Sequence, residues 1–452
     1  MSSRRRVPLV AVLAVALGLT GVASTLNHES NPSTIANGLG VTGGAESTAL
    51  YCTGLGSLHS GLAGRVSFLN TTDRTRTLSV TIVSDTGARA TTTVRLSAHS
   101  SANLEPNSLV AGNSFAVATQ IDGGGVVADE VTRAATAQAP CTTSGVTQWN
   151  GAGFDTLVGS KAMLSIYNPT ATAAVFNVSA YTSNGFVAPA PYQGFALGAH
   201  AQVELNLGSQ IVNATDVGVR VNVLRGLLSV LGVQTSGKMV SLNPGTTSLV
   251  TRAWFARVTT ANGALAQLRF ANPNGLPANV SVSVKLGSFD IAPQSVTIGP
   301  YDSGALVVTP NPAIPAAGYA SLVVSSSEPV SVALATGTGS GIALSSPPAR
   351  ARDYLVSDFA GVGFDAAAVT NTSSRTLKVT FTLMATNTQP AATSSTELAG
   401  HATQEILGVF NAVSTLSGTT LVIKADRADL VVTTTLPSTP IGVEVVSALD
   451  GG

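Results

Sequence analysis

Apolar and polar residues alternate with period two over most of this chain, and the alternating block recurs. Four segments lie over one another: Arg65–Asn70, Met163–Asn168, Gln267–Asn272 and Ala366–Asn371. Their closing asparagines are 98, 104 and 99 residues apart. Apolar residues fall two and four places before each Asn: Phe68 and Val66, Ile166 and Leu164, Phe270 and Leu268, Val369 and Ala367. The pattern resumes eight, ten and twelve places later. It gives Leu78, Val80, Ile82; Phe176, Val178, Ala180; Val280, Val282, Val284; and Val379, Phe381, Leu383. A two-residue period marks strands with one buried face. The Asn-Thr or Asn-Pro step between the two strands supplies a turn, because Asn bonds its neighbouring backbone.

Two further landmarks keep the same register. Leu96-Ser-Ala-His99, Leu197-Gly-Ala-His200, Ile298-Gly-Pro-Tyr301 and Leu398-Ala-Gly-His401 are each followed by an apolar residue eight places after the first. A terminal hairpin is then expected, turning at Asp122-Gly123-Gly124, Arg225-Gly226, Ser327-Glu328-Pro329 and Asp426-Arg427. Each repeat opens on an aromatic residue: Tyr51, Trp149, Trp254 or Tyr354. Helical periodicity is absent beyond the N-terminal segment. The fold class expected is all-β, with four tandem immunoglobulin-like sandwich units after an N-terminal signal or anchor segment. The repeat is too long for propeller blades, which run to roughly 45 residues. The units are placed at 48–139, 140–244, 245–347 and 348–452.

The N-terminus changes where such a protein works. Arg4, Arg5 and Arg6 precede an uncharged apolar run from Val7 to Ala23. Residues 1–26 therefore read as a cleaved signal peptide or as a single N-terminal membrane helix. Either exports the rest of the chain. Residues 27–47, rich in Asn, Ser, Gly and Thr, read as a flexible linker. Cys52 and Cys141 are the chain's two cysteines. In an exported protein such a pair forms a disulfide; two buried free thiols are the alternative. A metal site needs more ligands than two cysteines without nearby histidine supply.

Leu50-Tyr51-Cys52 after an export signal, Cys141 shortly before Trp149, the Asn168-Pro169 corner and the Leu197-Gly-Ala-His200-Ala-Gln-Val-Glu-Leu205 turn resemble an exported actinobacterial family catalogued as a domain of unknown function. The resemblance spans the exported part and implies repeated sandwich-like units at the cell envelope. It implies no catalytic residues. Thr53 stands where that family has proline after the first cysteine.

Composition narrows the chemistry. Charged residues make up 10% of the chain, Lys+Arg 23 balance Asp+Glu 23, and no basic footprint for nucleic acid is visible. His99, His200 and His401 occupy the same turn, where Tyr301 replaces them in the third repeat, so a turn or packing role is expected rather than catalysis or metal ligation. Thr336-Gly-Thr-Gly-Ser-Gly341 lacks the following helix of a dinucleotide loop and reads as an interstrand connection. Asp353, Asp358 and Asp365 form the nearest approach to a calcium-type acid cluster. No catalytic, cofactor or metal residue is assigned. The expected function is a non-enzymatic envelope scaffold, a rod of modules whose partner is an envelope protein or a polysaccharide. The alternative is an array of glycan-binding modules, for which Trp149 and Trp254 would have to present exposed faces.

Overall fold

A computed structural model of the protein describes residues 48–56, 63–132, 137–237, 239–260, 264–286, 289–314, 319–338, 341–348, 350, 353–356, 366–384, 390–405, 420–435 and 448–449. The segments expected to be a signal or anchor (1–26) and a linker (27–47) lie outside these residues. The described residues are strands joined by turns, with three short 3-10 turns and no α-helix. None of their elements is a helix long and apolar enough to cross a membrane.

The strands fall into four groups with one plan. In the first group they are Ala49–Gly56, Gly64–Asn70, Arg76–Ser84, Arg89–Leu96, Ser101–Leu104, Ser114–Ile121, Val126–Thr132 and Gln138–Pro140. One antiparallel sheet takes them in the order first, sixth, third, fourth; the other takes fifth, second, seventh, eighth. The second group repeats both sheets, Gln148–Phe154 being its first strand and Met239–Asn243 its eighth. The third does so too, from Val250–Thr259 to Gly341–Ser345, and the fourth keeps the order of the first seven. This is the sandwich architecture that the alternation predicts, with its own strand order. The alternating residues are its cores. Phe68, Leu78, Val80, Phe176, Phe270, Val282, Val379 and Phe381 are all fully buried. Each such side chain contributes about 1.5–3 kcal/mol relative to exposure.

The terminal hairpins are not hairpins. The strands either side of Asp122, Arg225 and Asp426 sit in opposite sheets, so each turn arches across the sandwich. At Ser327-Glu328-Pro329 there is no turn. Tyr319–Thr338 runs through as one strand, pairing with one sheet up to Val330 and with the other from Ser331. Two apolar strands around a polar break look the same whichever partner each one takes, because alternation fixes the buried face and not the neighbour.

The corner asparagines are pins rather than simple turn residues. Asn70 Nδ2 reaches the carbonyls of Arg74, Leu96 and Ser97, and its Oδ1 accepts from Thr72 N and Oγ1. Asn168, Asn272 and Asn371 make the equivalent bonds to Leu197 and Gly198, Ile298 and Gly299, and Leu398 and Ala399. All four are fully buried. The N–H groups of His99, His200, Tyr301 and His401 then donate to the residue two places after each pin. These four residues hold left-handed backbone, with φ of 49, 50, 55 and 61°. His tolerates that region better than most side chains, whereas a bulky residue such as Tyr is a true outlier there.

Successive units pack through one kind of joint. The outer face of the second and seventh strands lies against the preceding unit. Leu69 and Val127, Tyr167 and Ser229, Ala271 and Ser331, and Thr370 and Val431 are the equivalent cross-strand pairs. Tyr167 packs on Ala116 and Ala118 of unit 1, Ala271 approaches Gly218 of unit 2, and Val431 packs on Val323 of unit 3. Leu69 and Val127 of unit 1 receive Val422 of unit 4 in the same position. The four units therefore close into a ring instead of the expected rod.

Candidate functional site

Cys52 and Cys141 form a disulfide, with an S–S distance of 2.05 Å. Among the described residues no cysteine is free. The bond joins the first strand of one sheet to the end of the eighth strand of the other, inside the core of unit 1.

The histidines do structural work at different places. His99 Nε2 lies 2.7 Å from Asp73 Oδ1. The carbonyl of His200 accepts from Arg89 of unit 1 at 3.1 Å. His401 stacks on Trp254 of unit 3, with ring centroids 5.6 Å apart and 12° between planes. Among the described residues no three His, Cys, Asp or Glu converge as metal ligands. Of the acid cluster, Asp358 and Asp365 lie outside the described residues. The glycine-rich segment contributes a strand pairing, Thr338 opposite Gly341.

The two tryptophans are buried, Trp149 at 2% exposure and Trp254 at 4%. Trp149 belongs to the core of unit 2 and donates to Pro244 O at 2.6 Å. Trp254 belongs to the joint between units 3 and 4, with Arg252 5.1 Å from its ring centre. Neither ring offers a flat face for stacking.

Two concavities remain. One, of about 570 Å³, lies where the three linkers meet, with Thr142, Thr246 and Pro347 among its lining. The other, of about 590 Å³, opens between units 2 and 3. Tyr181, Phe186 and Arg220 come from unit 2, and Tyr301 from the left-handed turn of unit 3. Phe186 meets Tyr301 edge-on, with centroids 6.4 Å apart and planes at 67°, and Tyr181 lies 5.8 Å from Phe186. Phe186 is 54% exposed and Tyr301 48%. Arg220 is fixed by Asn150, whose Oδ1 accepts from Nε at 3.0 Å. Sequence reasoning passed over this group. The signals for it were Tyr301 standing where the other repeats have His, and a longer spacing in unit 2. Asn168 to Leu197 spans 29 residues, against 26, 26 and 27 in units 1, 3 and 4.

Charged groups concentrate at the joints. Arg269 of unit 3 enters unit 2, donating to Asp155 Oδ1 at 2.8 Å and Gly153 O at 2.7 Å, with Asp216 Oδ1 2.9 Å from its Nε. Burial raises the Asp216 carboxyl, against the pull of Arg269. Glu130 is buried beside the joint of units 1 and 2, where it accepts from Thr53 N at 2.7 Å and from Gly54 N. Desolvation pushes it up to about 7 despite those bonds. Glu204 of unit 2 is likewise pushed up to about 7 by burial, with Asp85 of unit 1 adding like charge.

No family model matches this chain, and no curated protein matches it either. A solved structure described as a tetra-tandem repeat in the extending region of a large adhesion protein aligns with 89% of this chain and 94% of its own. It does so at 11% identity and a TM-score of 0.12, a level at which the likeness carries no argument.

Proposed function

We propose that this is an exported, non-enzymatic interaction scaffold of the cell envelope. The observation that carries it is the joint construction. Four sandwiches share one packing mode and close on one another, so the chain presents fixed surfaces rather than a string of loose modules. The disulfide supports the exported setting, because such bonds persist outside the reducing cytosol. The resemblance to the exported actinobacterial family belongs to this reading as a proposal, as do a partner among envelope proteins or polysaccharides and an N-terminal membrane helix or cleaved signal. An array of glycan modules would need Trp149 and Trp254 at the surface, and both are buried.

The test is recovery of the full chain, tagged at its C-terminus, from its native cells. The reading expects the protein in the envelope fraction with no titratable thiol. It also expects an envelope protein or polysaccharide retained on crosslinking. Cytosolic protein with two free thiols overturns it.

A further inference from the structure

The cleft between units 2 and 3 is built from two departures from the repeat, each absent from the other three units. In units 1, 3 and 4 the fourth strand is continuous: Arg89–Leu96, Phe289–Ile298 and Pro390–Leu398. In unit 2 it breaks into Gly185–Val187 and Phe195–Leu197, and the chain between them detours through a 3-10 turn at Ala190–Tyr192. The detour is anchored. Tyr192 is buried, and its hydroxyl donates to Asn206 O at 2.7 Å. Gln193 lines the cleft, and its Nε2 donates to Val178 O at 2.7 Å. The second departure is Tyr301. It occupies the left-handed position that His fills in the other three units, where a bulky side chain is costly. The two departures belong to different units, yet they meet in one place.

What they assemble is a specific surface. Two half-exposed aromatic rings stand at a steep angle, backed by Tyr181. Beside them lie the immobilised Arg220 and the exposed Asn222 amide on the adjoining strand. Among the described residues no acidic side chain lines the space. Its volume is within the roughly 300–1,000 Å³ of small-molecule sites. Aromatic faces with amide and guanidinium donors on rigid strands suit a ligand whose carbons form flat C–H faces and whose rim is hydroxyl groups. We propose that this cleft binds a saccharide chain, uncharged or bearing carboxylates, with Phe186 and Tyr301 stacking on sugar rings and Arg220 and Asn222 bonding their hydroxyls. This deepens the scaffold reading by naming one ligand class at one joint.

The experiment uses the purified full chain, its disulfide intact. It is titrated with tetra- to hexasaccharides of glucose, mannose, galactose, arabinose, N-acetylglucosamine and glucuronic acid. At least one series is expected to bind. Phe186→Ala and Tyr301→His are each expected to weaken that binding about tenfold. Tyr301→His installs the residue that the other units carry at this turn, so it keeps the backbone, and an unchanged melting temperature verifies this. Phe186 is exposed and gives the second, independent arm. Arg89→Ala, at the joint of units 1 and 2, is expected to bind as the parent does. Binding by no series, or binding that both cleft variants leave unchanged, overturns the proposal. Either result leaves the envelope-fractionation test of the scaffold reading untouched.

Discussion

The joints on either side of unit 2 use equivalent sheet faces and opposite chemistry. Between units 1 and 2 the buried contact is apolar and hydroxylic, and Arg89 reaches the His200 carbonyl only at its exposed edge. Ala137 and Ala139 meet Leu231, Val233 and Leu242; Tyr51 meets Tyr167; and the hydroxyls of Thr142 and Ser229 are 3.0 Å apart. Among the described residues its acids, Glu130 and Glu204, pair with no cation, and desolvation raises both. Between units 2 and 3 a buried guanidinium is clamped by two carboxylates and a carbonyl. The difference lies in a single position of the repeat. Ser165 of unit 2 and Arg269 of unit 3 both sit three residues before the corner Asn. Ser165 donates to the Thr53 carbonyl of the unit before it, whereas Arg269 reaches Gly153 and Asp155. One backbone frame thus accepts either a dry joint or an ionic one.

The largest effect is expected at the disulfide, which secures the unit on the dry side. The bond closes a chain segment with a sequence separation of 89. Loop entropy then gives about 4–5 kcal/mol. Cys52→Ser and Cys141→Ser should each lower the denaturation midpoint of unit 1, and the double variant should be no worse than either. A double variant with an unchanged midpoint refutes this. On the ionic side, Arg269→Met leaves the buried Asp155 and the part-buried Asp216 without their cation. That should cost about 3–5 kcal/mol, because an uncompensated buried charge is left behind. Adding Asp155→Asn and Asp216→Asn should restore most of the loss in denaturant titrations. Failure to rescue would place the cost in packing.

The parts legible in the sequence were those that depend on period alone. Phe68, Val80, Phe176 and Phe381 are core residues because strand alternation admits only one buried face. Pairing was less legible. A turn between apolar strands does not reveal whether the chain folds back or arches to the other sheet, and so the hairpins expected at Asp122 and Arg225 are arches instead. The opening aromatics were legible as aromatic but not as to direction. Trp149 and Tyr354 point into their own cores, whereas Tyr51 and Trp254 face the next unit. A one-residue change of register exchanges those faces. Ring closure left no local signal, since Val422 against Leu69 is a contact between residues far apart in the chain. The cleft was visible only as two irregularities, a longer spacing and a Tyr for a His, whose meeting depends on the joint.

On the dry side, stability depends on acidity. Glu130 titrates near 4.5 when unfolded and about 7 when folded. The folded state therefore binds the proton more tightly. The associated stability is fully present below the unfolded value, declines as pH rises from 4.5 to about 7, and is level above that. The difference corresponds to roughly 3 kcal/mol. Denaturation of unit 1 followed from pH 4.5 to 7.5 should show this decline, and Glu130→Gln should flatten it. A variant with the parental slope would move the effect to Asp129 and Glu204, whose carboxyls burial also raises.

The smallest effect is expected at the joint between units 3 and 4, which is also ionic but open on one side. Arg257 is buried, with its side chain 3% exposed, and Glu405, 3.2 Å from its Nε, is 44% exposed. The guanidinium also lies over the Tyr319 ring, 3.2 Å from the centroid. Desolvation lowers the Arg257 pKa, with Tyr319 and Glu405 acting against it. A half-exposed carboxylate gains little from its partner, because water screens it. Glu405→Gln should therefore cost at most about 1 kcal/mol, and 0.5 M salt should mask most of it. Tyr319→Leu should cost more than Glu405→Gln, since the ring is the partner that stays with the buried end of the arginine. If Glu405→Gln instead matches the loss from Arg269→Met, burial of the second partner is not what separates a strong joint from a weak one.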